Sequence, residues 1–147
     1  MTSPPDHPAS LLVGTVLQSF SMPVERGKVR EFARATGADG TVYDAPDAPI
    51  PPTFLVSSAF WEEPGVSIVE QIGIDLTRVL QGGQEYRFPG DLPRVGDELE
   101  VEITVESVTA KEGKRGTMTF IVLLTTYRCG GDVVAEGRAT VIERSAA

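Results

Sequence analysis

The sequence has few of the side chains on which acid–base and metal chemistry depend. Its 147 residues include one histidine, His7, and one cysteine, Cys129. A single cysteine leaves no disulfide framework and no cysteine metal cluster, so we expect a reducing compartment and no metal site. His7 lies in a segment rich in proline and polar residues, which predicts a disordered tail over residues 1–12. Histidine-dependent chemistry is therefore excluded unless that tail folds back into a cleft.

Positive charge and long apolar runs are also scarce. The chain carries 13 basic and 21 acidic residues and a net charge of −8. A nucleic-acid partner is disfavoured because its phosphates would be repelled, and an acidic protein partner is weakly disfavoured too. No apolar run approaches the length of a membrane span. The run Leu11-Leu12-Val13 is too short for the core of a signal peptide, so we expect a cytoplasmic protein without membrane contact.

The remaining patterns predict one α+β domain over residues 13–147. A strand over residues 14–22 precedes an amphipathic helix over 25–36, which Gly37 ends, and a loop over 38–49. Residues 98–108 alternate between apolar and polar, which predicts a strand with one wet face. Residues 117–127 are apolar on both faces, which favours a central strand near another subunit or a helix. Further strands are predicted over 82–88 and 133–141, whereas residues 65–79 fit either a strand or an irregular crossover.

The stretch Ile50–Trp61 is the candidate centre of this fold. Its apolar residues point all around a helix, which predicts a buried helix on which the sheet packs. Pro51 and Pro52 suit the first turn, and Thr53 is a candidate cap. The small residues at 57–59 allow a sheet to approach closely. A buried strand fits the length equally well.

Three motifs in this order resemble those of the FAS1-like dehydratase branch of the MaoC-like hydratases and dehydratases. They are Phe32–Asp44 (FARATGADGTVYD), Ile50–Leu55 (IPPTFL), and Leu80–Phe88 (LQGGQEYRF) followed by Val95-Gly96-Asp97. The resemblance covers nearly the whole chain beyond the tail. It implies a hotdog fold, in which an antiparallel sheet wraps a central helix. It also implies hydration or dehydration of (R)-3-hydroxyacyl thioesters on coenzyme A or acyl carrier protein, with no cofactor beyond the thioester.

The resemblance also shows where this chain departs from active family members. Those members carry an Asp and a His in a Gly-Asp-x-Asn-Pro-x-His pattern. Gly37 matches the glycine, but Ala38 stands at the Asp position and Tyr43 at the His position. Asp39 is one residue away from the Asp position. Pro52 stands where active members place a glycine whose N–H helps bind the thioester oxygen, and proline has no N–H to donate. These departures resemble the non-catalytic half of a two-hotdog dehydratase.

The resemblance implies that this chain holds an acyl thioester and pairs with another hotdog chain. The pair is either a homodimer or a heterodimer with a catalytic MaoC-like partner. The candidate substrate-binding residues are Tyr43, Thr53, Phe54, Gly82, Gly83, Gln84 and Arg87. The two glycines either let a pantetheine arm approach the backbone or simply form a β-bulge. Five scattered arginines are further candidates for contacts with coenzyme A phosphates, although such residues usually bind nothing: Arg78, Arg87, Arg94, Arg128 and Arg138.

Two other classes of function stay open from the sequence. One is an enzyme in its own right, either a hydratase that uses unusual groups such as Tyr43 and Asp39, or a thioesterase that uses a carboxylate of the central helix, Glu62 or Glu63. The other is a non-enzymatic module that binds acyl thioesters.

Overall fold

A computed structural model describes residues 6–38 and 40–145, and these form an antiparallel sheet with short helices on one face. The strands are β1 (Val16–Pro23), β2 (Val79–Arg87), β3 (Glu98–Gly113), β4 (Gly116–Cys129) and β5 (Asp132–Arg144). Their order across the sheet is β1-β3-β4-β5-β2, and every pair is antiparallel. The α-helices are α1 (Arg26–Ala35), α2 (Gly40–Tyr43) and α3 (Ile68–Ile72), and the 3-10 helices are Pro8–Leu12, Phe54–Trp61 and Leu76–Arg78. The predicted α+β class is confirmed.

The strand β3 shows how the sequence sets the two faces of the sheet. Its apolar residues, from Leu99 to Val105 in alternation, are buried, whereas Glu98, Glu100 and Glu102 are exposed. A bulge after Val105 shifts the register, so the next buried residue is Val108. β4 is the middle strand, as its two apolar faces predicted. The strand is therefore five residues longer than predicted, but the alternation ends at the bulge and residues 109–113 are all exposed. The helices cover the face opposite the glutamates.

The core consists of two clusters that lie side by side under the helices. One buries Met22, Val24, Val29, Ile50, Phe54, Leu55, Leu99, Val101, Tyr127 and Ala135. The other buries Ala9, Leu17, Ile72, Val105, Val108 and Ile121. We call these the first and the second core cluster. The helices α1 and Phe54–Trp61 cover the first cluster, and α3 with Pro8–Leu12 covers the second.

The helix α1 ends as its sequence predicted. Val29 and Ala33 are its buried residues, and Gly37 follows it with a φ of +69°. The Gly37 N–H donates to the Arg34 carbonyl over 3.2 Å, and the Ala38 N–H donates to the Ala33 carbonyl over 2.9 Å. This pattern is a Schellman cap, in which a left-handed glycine satisfies the last carbonyls of the helix. The chain then turns back into the segment that holds Tyr43.

The central helix lies where it was predicted, but its winding differs. Phe54–Trp61 is a 3-10 helix, and Thr53 precedes it without a side-chain cap hydrogen bond. Three residues per turn place every third side chain on one line. Leu55 and Ser58 are buried against the sheet, whereas Val56 and Phe60 are 54% and 86% exposed. The prediction of a helix buried all round therefore holds only for the inner face.

The N-terminal segment differs from the predicted disordered tail. Residues 8–12 form a 3-10 helix whose Ala9 is fully buried in the second core cluster, against which Leu12 also packs. Pro8 suits the first position of such a helix, and Ala9 is small enough for a close contact. The proline-rich composition that predicted disorder is therefore compatible with a packed helix here. Residues 1–5 of the predicted tail lie outside the described residues.

His7 fastens this N-terminal helix to the last strand. Its Nδ1 accepts the Ala9 N–H over 3.1 Å, and its Nε2 lies 2.8 Å from Glu143 Oε2 and donates to it. Glu143 also accepts the Asp75 N–H and Arg78 Nη2, over 2.9 and 2.8 Å. Burial alone would raise the pKa of Glu143, but these partners together lower it. One carboxylate thus joins β5 to the N-terminus and to the segment before β2.

The ambiguous residues 65–79 fold as a short crossover rather than a strand. The Ser67 side chain accepts the Glu70 N–H at the start of α3, and Gly73 ends α3 with a φ of +69°. The 3-10 helix Leu76–Arg78 then leads into β2. Among the described residues, no helix is long and apolar enough to span a bilayer.

We predict that Glu143→Gln destabilises the protein mainly above about pH 4. A carboxyl group whose pKa is lower in the folded than in the unfolded protein stabilises the fold above its unfolded value, near 4.3, and loses that effect as the pH falls through the folded value. At neutral pH the variant is expected to lose about 1.5–3 kcal/mol of unfolding free energy. Urea titrations between pH 3 and pH 7 measure this. Glu102→Gln, on the wet face of β3, is the control. Parallel pH profiles for wild type and Glu143→Gln would contradict the role given to Glu143.

We also predict that Ser58→Leu lowers the melting temperature whereas Ala59→Leu does not. Ser58 faces the sheet and is 8% exposed, so a larger side chain overpacks the contact and costs about 1–3 kcal/mol. At roughly 2–4 °C per kcal/mol, the loss is measurable by differential scanning calorimetry. Ala59 is exposed on the outer face of the same helix and is the matched control. Equal melting temperatures for the two variants would show that the 3-10 winding is not maintained in solution.

Candidate functional site

An apolar cleft lies between α1 and the central helix Phe54–Trp61. Its volume is about 300 Å³, and its walls are Phe32, Ala35, Phe54, Ser57, Phe60 and Trp61, with Lys28 and Glu31 also lining it. The rings of Phe32 and Phe54 meet edge to face, with centroids 5.5 Å apart. Phe60 extends into solvent at 86% exposure. We call this feature the acyl cleft, because the sequence resemblance predicts an acyl thioester as the ligand of this chain.

The 3-10 winding assembles one wall of the acyl cleft. Phe54, Ser57 and Phe60 lie three residues apart and share one line of the helix. The Ser57 hydroxyl donates to the Phe54 carbonyl over 2.7 Å, so its polar atom is satisfied within the helix. The cleft therefore presents aromatic rings and one small side chain at its middle. The lining residues Phe32, Phe60 and Trp61 were not among the predicted binding residues, although two aromatic residues, Phe54 and Phe60, that lie two 3-10 turns apart are a signal in the sequence.

A buried tyrosine lies beneath the central helix. Tyr127 donates its hydroxyl to the Leu55 carbonyl over 3.2 Å, and its oxygen lies 3.1 Å from the Ser58 hydroxyl. Burial raises the pKa of Tyr127, and burial together with Tyr127 raises the pKa of Tyr86 well above that of a free phenol. Both phenols are therefore neutral at physiological pH. They can donate hydrogen bonds but do not supply a base.

Glu62, which interacts electrostatically with Tyr127, has a raised pKa. Glu62 follows the central helix and is half-buried, and its burial raises its pKa. The neighbouring Glu63 is exposed, and its N–H donates to Gln18 Oε1 over 2.9 Å. Of the two carboxylates that the sequence offers to a thioesterase, only Glu62 is therefore partly shielded from solvent. A raised carboxyl pKa in a half-buried place is a recurrent property of functional groups, although structural groups share it.

The segment that carries the acid and base in active members is held on α1. Arg30 Nε lies 2.8 Å from Asp44 Oδ1, and Arg26 donates to the Asp44 carbonyl over 2.6 Å. Tyr43 ends α2 and packs, half-buried, against the first core cluster, which also contains Phe54. Ala38 is half-buried and offers a methyl group only. Asp39 lies outside the described residues.

The other predicted binding residues are exposed and lie on β2 or just before the central helix. Gly82, Gly83, Gln84 and Arg87 all belong to β2, and they are exposed. Thr53 is exposed before the central helix. The structure thus places Tyr43 and Phe54 together in one cluster and the four β2 residues on a separate edge strand. Their joint role in binding stays a prediction.

Gly82 has a structural explanation. A Cβ built on it would lie 2.8 Å from Ile142 Cδ1, and the strand register shifts between Gln81 and Gly83. A β-bulge with a close cross-strand contact therefore requires glycine at position 82. Gly83 has open space around it, so its backbone remains accessible to a ligand.

The only histidine is remote from the acyl cleft. His7 binds Glu143, which lies eight residues along β5 from Ala135 of the first core cluster. At the rise of an extended strand this separation is about 26 Å. Both ring nitrogens of His7 already have partners. The N-terminal segment does fold back onto the domain, but it does not bring an imidazole to the acyl cleft.

The remaining reactive groups do not form a metal centre in the described part of the chain. No group of three or more His, Cys, Asp and Glu side chains could hold a metal ion there. Burial, and secondarily the charge of Asp97, raises the pKa of Cys129, so its thiol is a poor nucleophile at neutral pH.

Comparison with known sequences identifies the family of this chain. The sequence matches the family described as "FAS1-like, dehydratase domain region" over residues 11–137. The UPF0336 protein of Streptomyces avermitilis is 35% identical over 99 residues, which cover 61% of this chain and 65% of the relative. That of Saccharopolyspora erythraea is 28% identical over 133 residues, which cover 84% and 83%. The matched part therefore spans just under two thirds of the length of the first of these relatives.

Solved structures share the fold. The HadBC (3R-hydroxyacyl-ACP dehydratase) complex of Mycobacterium tuberculosis superimposes with a TM-score of 0.64 at 22% identity, covering 84% of this chain and 93% of that chain. The ChsH1-ChsH2 complex of the same organism gives 0.65 at 17% identity, with 88% of each chain covered. A MaoC-like dehydratase gives 0.70 at 21% identity, covering 89% of this chain and 42% of that chain. This chain belongs to the FAS1-like dehydratase domain family and has the hotdog fold of the MaoC-like dehydratases.

Proposed function

We propose that this chain is an acyl-thioester-binding subunit of an (R)-specific enoyl-thioester hydratase or 3-hydroxyacyl-thioester dehydratase. In this proposal a catalytic hotdog partner supplies the acid and base. One observation carries the proposal. The chain has an apolar cleft, but Ala38 and Tyr43 stand at the positions where active family members carry the catalytic Asp and His. The proposal covers both the homodimeric and the heterodimeric arrangement, and we favour the heterodimer because only a different chain brings the missing groups.

The acyl cleft suits a hydrocarbon chain. Its volume of about 300 Å³ lies at the lower end of the range of small-molecule sites, roughly 300–1,000 Å³. Its walls are mainly aromatic, and the Ser57 hydroxyl is already bonded to the helix backbone. Burying apolar ligand surface against such walls is favourable by about 25 cal/mol per Å². An acyl chain therefore gains affinity here without needing a charged partner.

The same region cannot run the hydration by itself. Adding water across an enoyl thioester requires one group to take a proton from water and another to stabilise or protonate the enolate. Ala38 has no proton-accepting atom, and position 43 carries a phenol where active family members carry an imidazole. Pro52 removes an N–H donor, and losing one such donor typically costs about 2.7–4 kcal/mol of barrier.

Exposed surfaces beside the acyl cleft support a partner chain. The outer edge of β2 is unpaired among the described strands, and such an edge is a ready template for pairing. Val56 and Phe60 are exposed apolar residues on the central helix. Two of the structural neighbours are themselves complexes, HadBC and ChsH1-ChsH2. These observations favour an assembly in which β2 and the central helix meet a second hotdog.

One observation favours a second candidate, a stand-alone thioesterase. The half-buried Glu62, whose pKa burial raises, is the kind of carboxylate that could activate water next to a bound thioester. It lies at the end of the central helix whose Trp61 lines the acyl cleft. Hydrolysis then requires no partner, and this separates the two candidates.

We predict that the chain alone does not hydrate enoyl thioesters and that a catalytic hotdog partner restores turnover. The assay follows crotonyl-CoA and longer enoyl-CoA substrates spectrophotometrically, first with the chain alone and then with the partner added. Turnover by the chain alone that is lost in Tyr43→Phe would overturn the subunit assignment. Release of free thiol from saturated acyl-CoA that is lost in Glu62→Gln would instead establish the thioesterase.

We predict that Ser57→Phe weakens the binding of acyl-pantetheine at least tenfold. The new ring occupies the middle of the acyl cleft, whereas Ala59→Phe places the same ring on the exposed outer face of the helix. Isothermal titration calorimetry with octanoyl-pantetheine measures both variants, and circular dichroism confirms that each is folded. Equal affinities for the two variants would show that the acyl chain binds elsewhere.

A further inference from the structure

The outer face of the sheet, opposite the helices, carries an apolar patch at its centre. The alternation of β4 places Ile121 and Tyr127 in the core clusters, so the even-numbered residues between them point outward. Ile142 lies opposite Phe120 on one side and opposite Leu80 on the other, so these three side chains form a row across the strands. We call the apolar group the outer patch, and it consists of Leu80, Phe120, Val122, Leu124 and Ile142.

The outer patch is not covered by the described part of the chain. None of its five side chains belongs to or packs against either core cluster among residues 6–38 and 40–145. Leu80 is 54% exposed, and the other four are half-buried. The free face of an antiparallel sheet normally carries polar side chains, and a contiguous apolar surface there marks an interaction site. Residues 117–127 were predicted to lie near another subunit or a helix, and the helices account for the inner face only.

Charged residues flank the outer patch in a pattern that reverses between its two ends. Four residues from Val122 toward one end of β4 lies an acidic row of side chains that are opposite one another across three strands: Glu102, Thr126 and Glu136. Four residues toward the other end lies a basic row: Lys111, Met118 and Arg144. The two rows are therefore at equal distances from Val122, about 14 Å along the strand.

This pattern is complementary to a second copy of itself. A two-fold axis that lies between two stacked outer faces and crosses β4 at Val122 reverses the strand direction. It places the acidic row of each copy over the basic row of the other, and Phe120 of each copy over Leu124 of the other. A two-fold axis parallel to the strands would instead stack like charges. Charge therefore favours the axis that crosses the strands.

The charged side chains of the two rows are available for such contacts. Glu102, Lys111 and Arg144 form no ion pair with any other residue in the described ranges. Lys111 Nζ lies over the ring of Phe120, 5.4 Å from its centroid, so the basic row adjoins the outer patch directly. Unpaired surface charges are common in this chain, and it is the symmetric placement of the rows about Val122 that points to a second copy.

The outer face is also large enough for a stable interface. With strands about 4.8 Å apart and a rise of about 3.4 Å per residue, the five strands present about 1,000 Å². A specific interface buries roughly 800 Å² per partner. The net charge of −8 opposes self-association in general, but basic side chains nearly balance the acidic ones on this face. The register places these charged residues there: Glu85, Arg87, Glu98, Glu100, Glu102, Glu106, Lys111, Arg128, Glu136, Arg138 and Arg144.

We propose that two copies of this chain stack through their outer patches, about a two-fold axis that crosses β4 at Val122. The helices lie on the far side of each sheet, so the two acyl clefts face away from each other. The edge of β2 and the central helix remain free for a catalytic partner. The stacked pair therefore adds to the proposed function and does not rest on it.

The first experiment places a charge on the proposed axis. Val122→Asp brings two carboxylates together at the centre of the interface, and sedimentation velocity of the full chain at micromolar concentration measures the mass. The expected result is that this variant has half the mass of wild type. Leu11→Asp is the control, because Leu11 is 88% exposed on the N-terminal helix, and it is expected to keep the wild-type mass. A monomeric wild type, or an unchanged mass in Val122→Asp, would overturn the proposal.

The second experiment tests the two-fold arrangement by exchanging charges. Glu102→Lys alone, or Lys111→Glu alone, stacks like charges at two places in a symmetric pair and is expected to weaken self-association at least tenfold. In an equimolar mixture of the two variants, one chain carries lysine at both positions and the other carries glutamate at both. The mixture is therefore expected to regain the wild-type mass.

A matched pair of reversals on the helical side of the sheet is the control for the charge exchange. Glu70→Lys and Arg34→Glu change exposed residues of α3 and α1, and each is expected to keep the wild-type mass. Circular dichroism confirms that every variant is folded. Single reversals at 102 and 111 that leave the mass unchanged, or a mixture that stays dissociated, would overturn the proposed arrangement. None of the residues changed in the three test variants lines the acyl cleft, so these outcomes are independent of acyl binding.

Discussion

The buried hydroxyl of Tyr127 decides how the central helix lies on the sheet. It contacts the Leu55 carbonyl and the Ser58 hydroxyl, so the inner face of the helix is the line that carries residues 55 and 58. With three residues per turn, the next line carries Phe54, Ser57 and Phe60, and it forms a wall of the acyl cleft. The third line, with Val56 and Ala59, faces outward. In an α-helix Ala59 would turn toward the sheet with Ser58, and the aromatic wall of the cleft would not line up.

Much of this fold is readable from short-range signals in the sequence, because those signals act locally. The alternation of β3 and the glycine that ends α1 each act within a few residues and were predicted correctly. The winding of the central helix was not predictable, since an eight-residue run that is mostly apolar has no polar face to reveal its period. The N-terminal helix was missed because proline-rich composition describes an isolated segment, whereas the burial of Ala9 depends on α3 and β3. In the candidate site, Phe54 was foreseen. Phe32 was not, because it comes from α1, a separate segment that only the fold brings beside the central helix.

The chain's one histidine lies away from the acyl cleft. Its ring caps the N-terminal helix and donates to Glu143. Both ring nitrogens are therefore bonded beside the second core cluster, whereas the acyl cleft includes Phe54 of the first. The sequence resemblance places Ala38 and Tyr43 at the positions of the family's catalytic Asp and His. Under the proposed function, the acid and base therefore come from a partner chain.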